Sequence, residues 1–185
     1  MKFKTKIIAA IFLGLLVVSL TSCDIADALK NYPVNIPYSV EFTATGSNNS
    51  ISESQTFCID SSDTFQEYKD KIKDIKFTEI SFRTISYIPE NLQGDVTITL
   101  KDGNGVILFT ESITGVKASD YVTTPYKITL TADEIQAINQ YLQAVLETQS
   151  QICFTGSFSI DITSGEGNHT IKAALDLVFE AGTEL

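Results

Sequence analysis

The chain has 185 residues, with 13 Lys plus Arg, 23 Asp plus Glu, one His and a net charge of −10. Such an acidic chain lacks the basic surface that neutralises phosphates, which argues against nucleic-acid partners and against a polybasic lipid-binding patch. The length suffices for one domain with a substantial core, and the acidity serves its solubility.

Lys2, Lys4 and Lys6 form a short positive start, followed by an uncharged run over residues 7–20. As a helix that run would reach about 21 Å at ~1.5 Å per residue, short of the ~20 residues a membrane span needs. It reads as the apolar region of a signal peptide. The residues that follow, Leu20-Thr21-Ser22-Cys23, resemble the lipobox of bacterial lipoprotein precursors: an aliphatic residue, two small ones and a cysteine. The resemblance covers this segment alone. It implies that a diacylglyceryl group is placed on the Cys23 thiol and that a peptidase removes residues 1–22. The new amino group is often acylated as well. Several acyl chains make a stable anchor, since each buried CH₂ contributes about 0.8 kcal/mol. The alternative is an ordinary secretory signal with a chance cysteine. The expected location is the cell envelope, lipid-anchored, with the outer membrane favoured; Asp24 after the cysteine favours inner-membrane retention in some enteric bacteria, and other groups use different rules.

Removing residues 1–22 leaves ten basic residues against 23 acidic ones, a net −13. Residues 23–37 read as the lipidated cysteine and a tether, since Pro33 and Pro37 block longer regular structure. Residues 38–185 then read as a single β-rich domain. A strand is expected over 38–44, where apolar and polar residues alternate, and a second over 51–60, bounded by Ser61-Ser62-Asp63. Ser62 or Asp63 caps a helix whose apolar stripe is Phe65, Tyr68, Ile72 and Ile75. Lys69, Lys71, Lys73 and Lys76 mix with acids around it and read as a solvated face. A long strand follows over 75–88, then a hairpin of 96–100 and 106–113 around the turn 102–105. Asp102 and Asn104 do not complete a calcium loop. A strand over 126–130 leads into the clearest helix, with Thr131 and Glu134 at capping-box spacing and Ile135, Ile138, Leu142, Val145 and Leu146 on one face. That helix is expected to cover a sheet end or edge. Strands over 152–163 and 170–180 close the chain as a last hairpin. Eight strands and two helices with turn connections indicate a mainly antiparallel β-sandwich, with a partly open barrel as the alternative.

Two cysteines remain, Cys58 and Cys153. In each strand the neighbours Phe57 and Ile59, or Ile152 and Phe154, take one face and the cysteine the other. Exported proteins live where disulfides persist, so a Cys58–Cys153 bond between neighbouring strands is expected. Two inert thiols under a helix are the alternative.

The sequence has no Gly-x-Ser-x-Gly elbow, no phosphate loop and no His-Glu-x-x-His helix. His169 is the lone histidine, so no multi-histidine metal site is possible, and no cofactor is expected. In its polar turn it reads as a solvated residue, with Asp161 and Glu166 as the alternative acid–base neighbours. Tyr87, Tyr121 and Tyr126 read as core-rim residues, or as a sugar platform if exposed on one face. The mature region is similar in general style to uncharacterised all-β envelope lipoproteins. The expected role is a non-catalytic module that binds an envelope protein or acts as a scaffold; a glycan-binding surface protein is the alternative, and a carboxylate-based enzyme is a third.

Overall fold

The structure is a computed structural model that describes residues 32–184. Residues 1–22, Cys23 and the first part of the expected tether lie outside the described residues. Eight strands form: β1 (Tyr32–Gly46), β2 (Ser50–Cys58), β3 (Ile72–Ile88), β4 (Gln93–Asp102), β5 (Ile107–Lys117), β6 (Tyr126–Lys127), β7 (Cys153–Ser164) and β8 (His169–Thr183). Two α-helices accompany them, α1 (Asp63–Tyr68) and α2 (Ala132–Glu147), with a 3-10 turn at Ile59–Ser61.

The strands make two four-stranded sheets, ordered β1-β8-β3-β6 and β2-β7-β4-β5, and every pair is antiparallel. The molecule is a β-sandwich. Apart from β4 and β5, consecutive strands lie in opposite sheets, so the chain crosses between them at every other connection. An eight-stranded double sheet of this order is a jelly roll. The expected last hairpin is therefore not one: β7 and β8 pair with other partners in different sheets.

The expected tether ends earlier than Pro37. Residues 32–37 pair with β8, from Tyr32 opposite Thr183 to Pro37 opposite Val178. Prolines are tolerated because β1 is an edge strand, where a missing N–H removes no ladder bond on its open side. Val34 and Ile36 alternate with the prolines and are buried.

Ile72 and Ile75 belong to β3 rather than to the expected helix. Register shifts fall between Ile72 and Asp74, between Phe77 and Glu79, and between Thr84 and Ser86. A β-bulge adds one residue to a strand. Buried residues thus recur three apart at Ile72 and Ile75, and again at Phe77 and Ile80, which imitates helical spacing. The helix that remains, α1, is capped by Ser62, whose hydroxyl accepts from the Phe65 N–H at 3.1 Å.

The core lies between the sheets and is rich in aromatic rings. Phe158 of β7 stacks on Phe82 of β3 (centroids 5.7 Å apart) and on Phe42 of β1 (6.4 Å), and Phe154 stacks on Phe179 (6.0 Å). Such pairs contribute about 0.5–1.5 kcal/mol each beyond their burial. Gly156 sits on the inward side of β7 because Phe42 needs its space: a Cβ there would lie 2.9 Å from Phe42 Cζ.

β6 covers only Ser81 and Phe82 of β3. Towards the start of β3, α2 takes over that edge. Its Asn139 Oδ1 accepts from the Phe77 N–H at 2.8 Å, and its Gln143 Nε2 donates to the Ile75 carbonyl at 3.0 Å. Both halves of the expected capping box are present, with the Thr131 hydroxyl accepting from the Glu134 N–H and the Glu134 carboxylate accepting from the Thr131 N–H. Ile138 and Leu142 are its buried residues.

Gly156→Val should lower the stability of the domain by about 1–3 kcal/mol, the usual cost of overpacking. Urea unfolding of the two proteins measures it; an unchanged midpoint would show that Phe42 can move aside.

Candidate functional site

The two outer faces of the sandwich differ in chemistry. Along the β1-β8-β3-β6 sheet, charged side chains pair across strands. Glu41 meets Lys172 at 2.6 Å, Asp176 meets Arg83 at 2.7 Å, Glu180 meets Lys76 at 2.7 Å and Glu79 meets Lys127 at 3.2 Å. Lys73 reaches Glu184 at 3.0 Å. Two members of the lysine group seen in the sequence thus serve cross-strand pairs. Pairs this exposed contribute little to stability, about 0–1 kcal/mol each.

The outer face of the β2-β7-β4-β5 sheet carries hydroxyls instead. Side chains of a strand alternate between faces, so residues two apart share one. Ser52, Ser54 and Thr56 of β2 lie opposite Ser159, Ser157 and Thr155 of β7. Ser159 and Ser157 lie opposite Thr97 and Thr99 of β4, which lie opposite Ser112 and Thr110 of β5. Two rows therefore run unbroken across all four strands: Ser54-Ser157-Thr99-Thr110 and Ser52-Ser159-Thr97-Ser112. Hydroxyls meet at 2.9 Å between Ser54 and Ser157, 3.0 Å between Thr56 and Thr155, and 3.2 Å between Thr99 and Thr110. Either partner can donate, so the rows can reorient their protons to suit a ligand. The rows line a cleft of about 390 Å³ with Glu53 on its wall. The period-two Ser/Thr pattern of these segments is the sequence signal for this face, but it carries meaning only once the register is known.

The face ends at the cysteines. Cys58 and Cys153 are the last pair of the β2–β7 ladder and are bonded to each other. Asp60 lies with them, the ligand atoms of the three falling within 4.8 Å of one another. Sulfurs bonded to each other offer a metal no thiolate. Tyr141 of α2 braces this end: its hydroxyl donates to the Cys153 carbonyl and accepts from the Gly103 N–H at 3.2 Å. Burial pushes the Tyr141 hydroxyl above the ordinary tyrosine pKa, against the opposing effect of its bonds to Gly103 and Cys153. Asp102 holds the adjoining β4–β5 turn, its Oδ1 accepting from the Asn104 and Val106 N–H groups at 2.8 Å each.

His169 is not solvated. It is the first residue of β8, shares the inward face with Ile171 and Ala173, and is 4% exposed. Gly165 lies against its ring. Neither ring nitrogen has a hydrogen-bond partner among the described residues, so neither Asp161 nor Glu166 engages it. The strand's alternation, rather than the polarity of the preceding loop, sets its burial. The tyrosines do not form a platform. Tyr87, Tyr121 and Tyr126 are partly buried against the core, Tyr121 and Tyr126 edge to face at 5.5 Å. The Tyr126 hydroxyl donates to Glu111 at 2.9 Å, and that bond, then burial, raises its pKa.

No protein-family model matches the chain, and no curated protein matches it in sequence. Among solved structures it is similar to that of Desmodium yellow mottle tymovirus, at 9% identity and a TM-score of 0.46 over 84% of this chain and 83% of that one. The empty head of turnip yellow mosaic virus gives 9% identity and 0.44 over 84% and 82%. Tobacco necrosis virus gives 11% identity and 0.39 over 84% and 97%. The jelly-roll assignment rests on the strand order of this chain itself. No helix among the described residues is long and apolar enough to cross a membrane.

Two measurements test this end of the domain. Thiol labelling of the denatured chain should find Cys58 and Cys153 blocked until a dithiol reductant is added. Reduction should then cost about 4–5 kcal/mol of stability, the loop-closure entropy of a bond spanning 95 residues. Labelling of both before reduction would remove the bond. Separately, Tyr126 and Tyr141 have raised pKa values, so their contribution to stability is fully present below pH 10 and is lost as pH rises through the raised values. Tyr68 is raised too, by the neighbouring Glu67 carboxylate, so ultraviolet titration should show three tyrosines ionising late, and loss of the late step for Tyr126 and Tyr141 in Phe variants checks the two contacts.

Proposed function

We propose that this chain is a lipid-anchored lipoprotein of the cell envelope, favouring the outer membrane, whose sandwich is a non-catalytic module for an envelope protein partner or scaffold. The observation that carries the proposal is the short stretch between the lipobox and the fold. Eight residues, 24–31, separate Cys23 from Tyr32, the first residue of β1. Fully extended they reach at most about 26–29 Å, at ~3.3–3.6 Å per residue. A lipid on Cys23 would therefore keep one chosen end of the sandwich at the bilayer.

That end is defined by pairing. Tyr32 and Ile72 both lie opposite Thr183, and β2 returns to the same end at Cys58. The loops 47–49, 89–92 and 165–168 connect strands at the opposite end. They are the surface an anchored domain would present to a partner. The lysines near Tyr32 are interleaved with Asp63, Glu67, Asp70 and Asp74, so this end is not a cationic foot, and membrane attachment falls to the lipid. The residues weighed for an enzyme do not come together around His169.

Growth of the source bacterium with an alkyne-tagged palmitate should label the chain, and Cys23→Ser should abolish the label and move the chain out of the membrane fraction. Membrane association without label, unchanged by Cys23→Ser, would remove the anchor.

A further inference from the structure

We infer that the hydroxyl-lined outer face of the β2-β7-β4-β5 sheet is a binding surface for a neutral glycan. The inference rests on the reading of the sandwich as a binding module, but not on the lipid.

The face lacks the groups that other partners need. Protein interfaces draw their binding energy from buried aromatic and Arg side chains. The two complete rows hold neither; they consist of Ser and Thr alone. Nucleic acids and sulfated or phosphorylated polymers need cations. The one cation facing outward beside the rows is Lys101, opposite Thr155, and on their other side Asp95 and Asp161 face outward opposite each other, which repels anionic polymers. Lipid tails need apolar surface, and in this region the exposed aliphatic residues are Val106 and Ile107, beyond the rows at the β4–β5 turn.

What the face offers is the chemistry of a sugar. Each Ser or Thr both donates and accepts. Within a row neighbouring strands lie about 4.8 Å apart, and the two rows lie about 6.8 Å apart along the strands. A neutral polysaccharide presents hydroxyls of the same kind in rows along an extended chain. Short side chains lose little rotamer freedom on binding. Removing neutral hydroxyls from water also costs far less than desolvating the ion pairs of the opposite sheet. The groups sit in a cleft of about 390 Å³ rather than on a bulge, so a sugar unit can be touched by several strands together.

The test is affinity electrophoresis of the full protein, purified from membranes in detergent, through gels containing β-1,3-glucan, xylan, mannan or starch. Alginate and heparin serve as charged comparisons. At least one neutral polymer should retard the protein. In Thr99→Val/Ser157→Ala its dissociation constant should rise about tenfold, as expected for two lost hydrogen bonds of roughly 0.5–1.5 kcal/mol each. Ser52→Ala/Ser54→Ala, on the edge strand β2, should act in the same direction and stands in if the first variant misfolds by circular dichroism. Thr43→Val, on the opposite sheet, should bind as the unaltered protein does. Retardation by no neutral polymer, retardation by the charged ones alone, or unchanged binding in a folded variant of the rows would overturn the inference. Palmitate labelling reports on the anchor independently: an unlabelled chain that is retarded keeps the glycan face, and a labelled chain that is not retarded keeps only the anchor.

Discussion

The structure depends on β8. This strand is paired on both sides along its length, to β1 from Tyr32 to Gly46 and to β3 from Ile72 to Ile88. Its inward residues Ile171, Ala173, Leu175, Leu177, Phe179 and Ala181 are all buried. Without it β1 has no partner strand, and the aromatic layer around Phe154 and Phe179 has no floor. The three bulges of β3 are adjustments to this pairing, since they keep a long and irregular strand in register with an uninterrupted one.

Around that centre, the sandwich assigns different work to its surfaces. One sheet is laced outside with ion pairs, and an edge that would otherwise offer open backbone groups is occupied by Asn139 and Gln143 of α2. Such edges invite pairing with other chains, and covering them is a common defence. The other sheet carries two rows of hydroxyls outside, flanked by Asp95 and Asp161 on one side and Lys101 on the other, and ends in a disulfide that ties its edge strand β2 to its neighbour β7. An acidic domain thus has one face whose two central rows carry hydroxyls and no charge.

Much of the fold was legible in the sequence because it is written in local rules. The capping box at Thr131 and Glu134 fixed the start of α2, and the alternation over 38–44 marked β1. What escaped depends on partners distant in the chain. Pro33 and Pro37 look like chain breakers until β1 is known to be an edge. Ile72 and Ile75 look helical until the bulges of β3 are known. His169 looks exposed beside Gly165 and Gly167 until β8 is extended one residue back, where parity with Ile171 turns it inward. The hydroxyl face was the least legible feature, since Ser-x-Ser and Thr-x-Thr are common on solvated strands. Its content comes from the alignment of four segments between residues 52 and 159, and no local pattern encodes a register of that range.

The place of β8 in the chain bears on how the domain comes to be folded. The strand that pairs with most of its own sheet follows all the others in sequence. A ribosome delivers it after the seven strands that precede it, and a pore that threads the chain from its N-terminus passes it after them too. Until then β1 and β3 wait with their apolar faces unpaired, separated from their partner by more than 80 residues. Folding dominated by such distant pairings is slow. Under the proposed export, that delay would be useful: the sandwich could not close before β8, the strand that completes it, had passed.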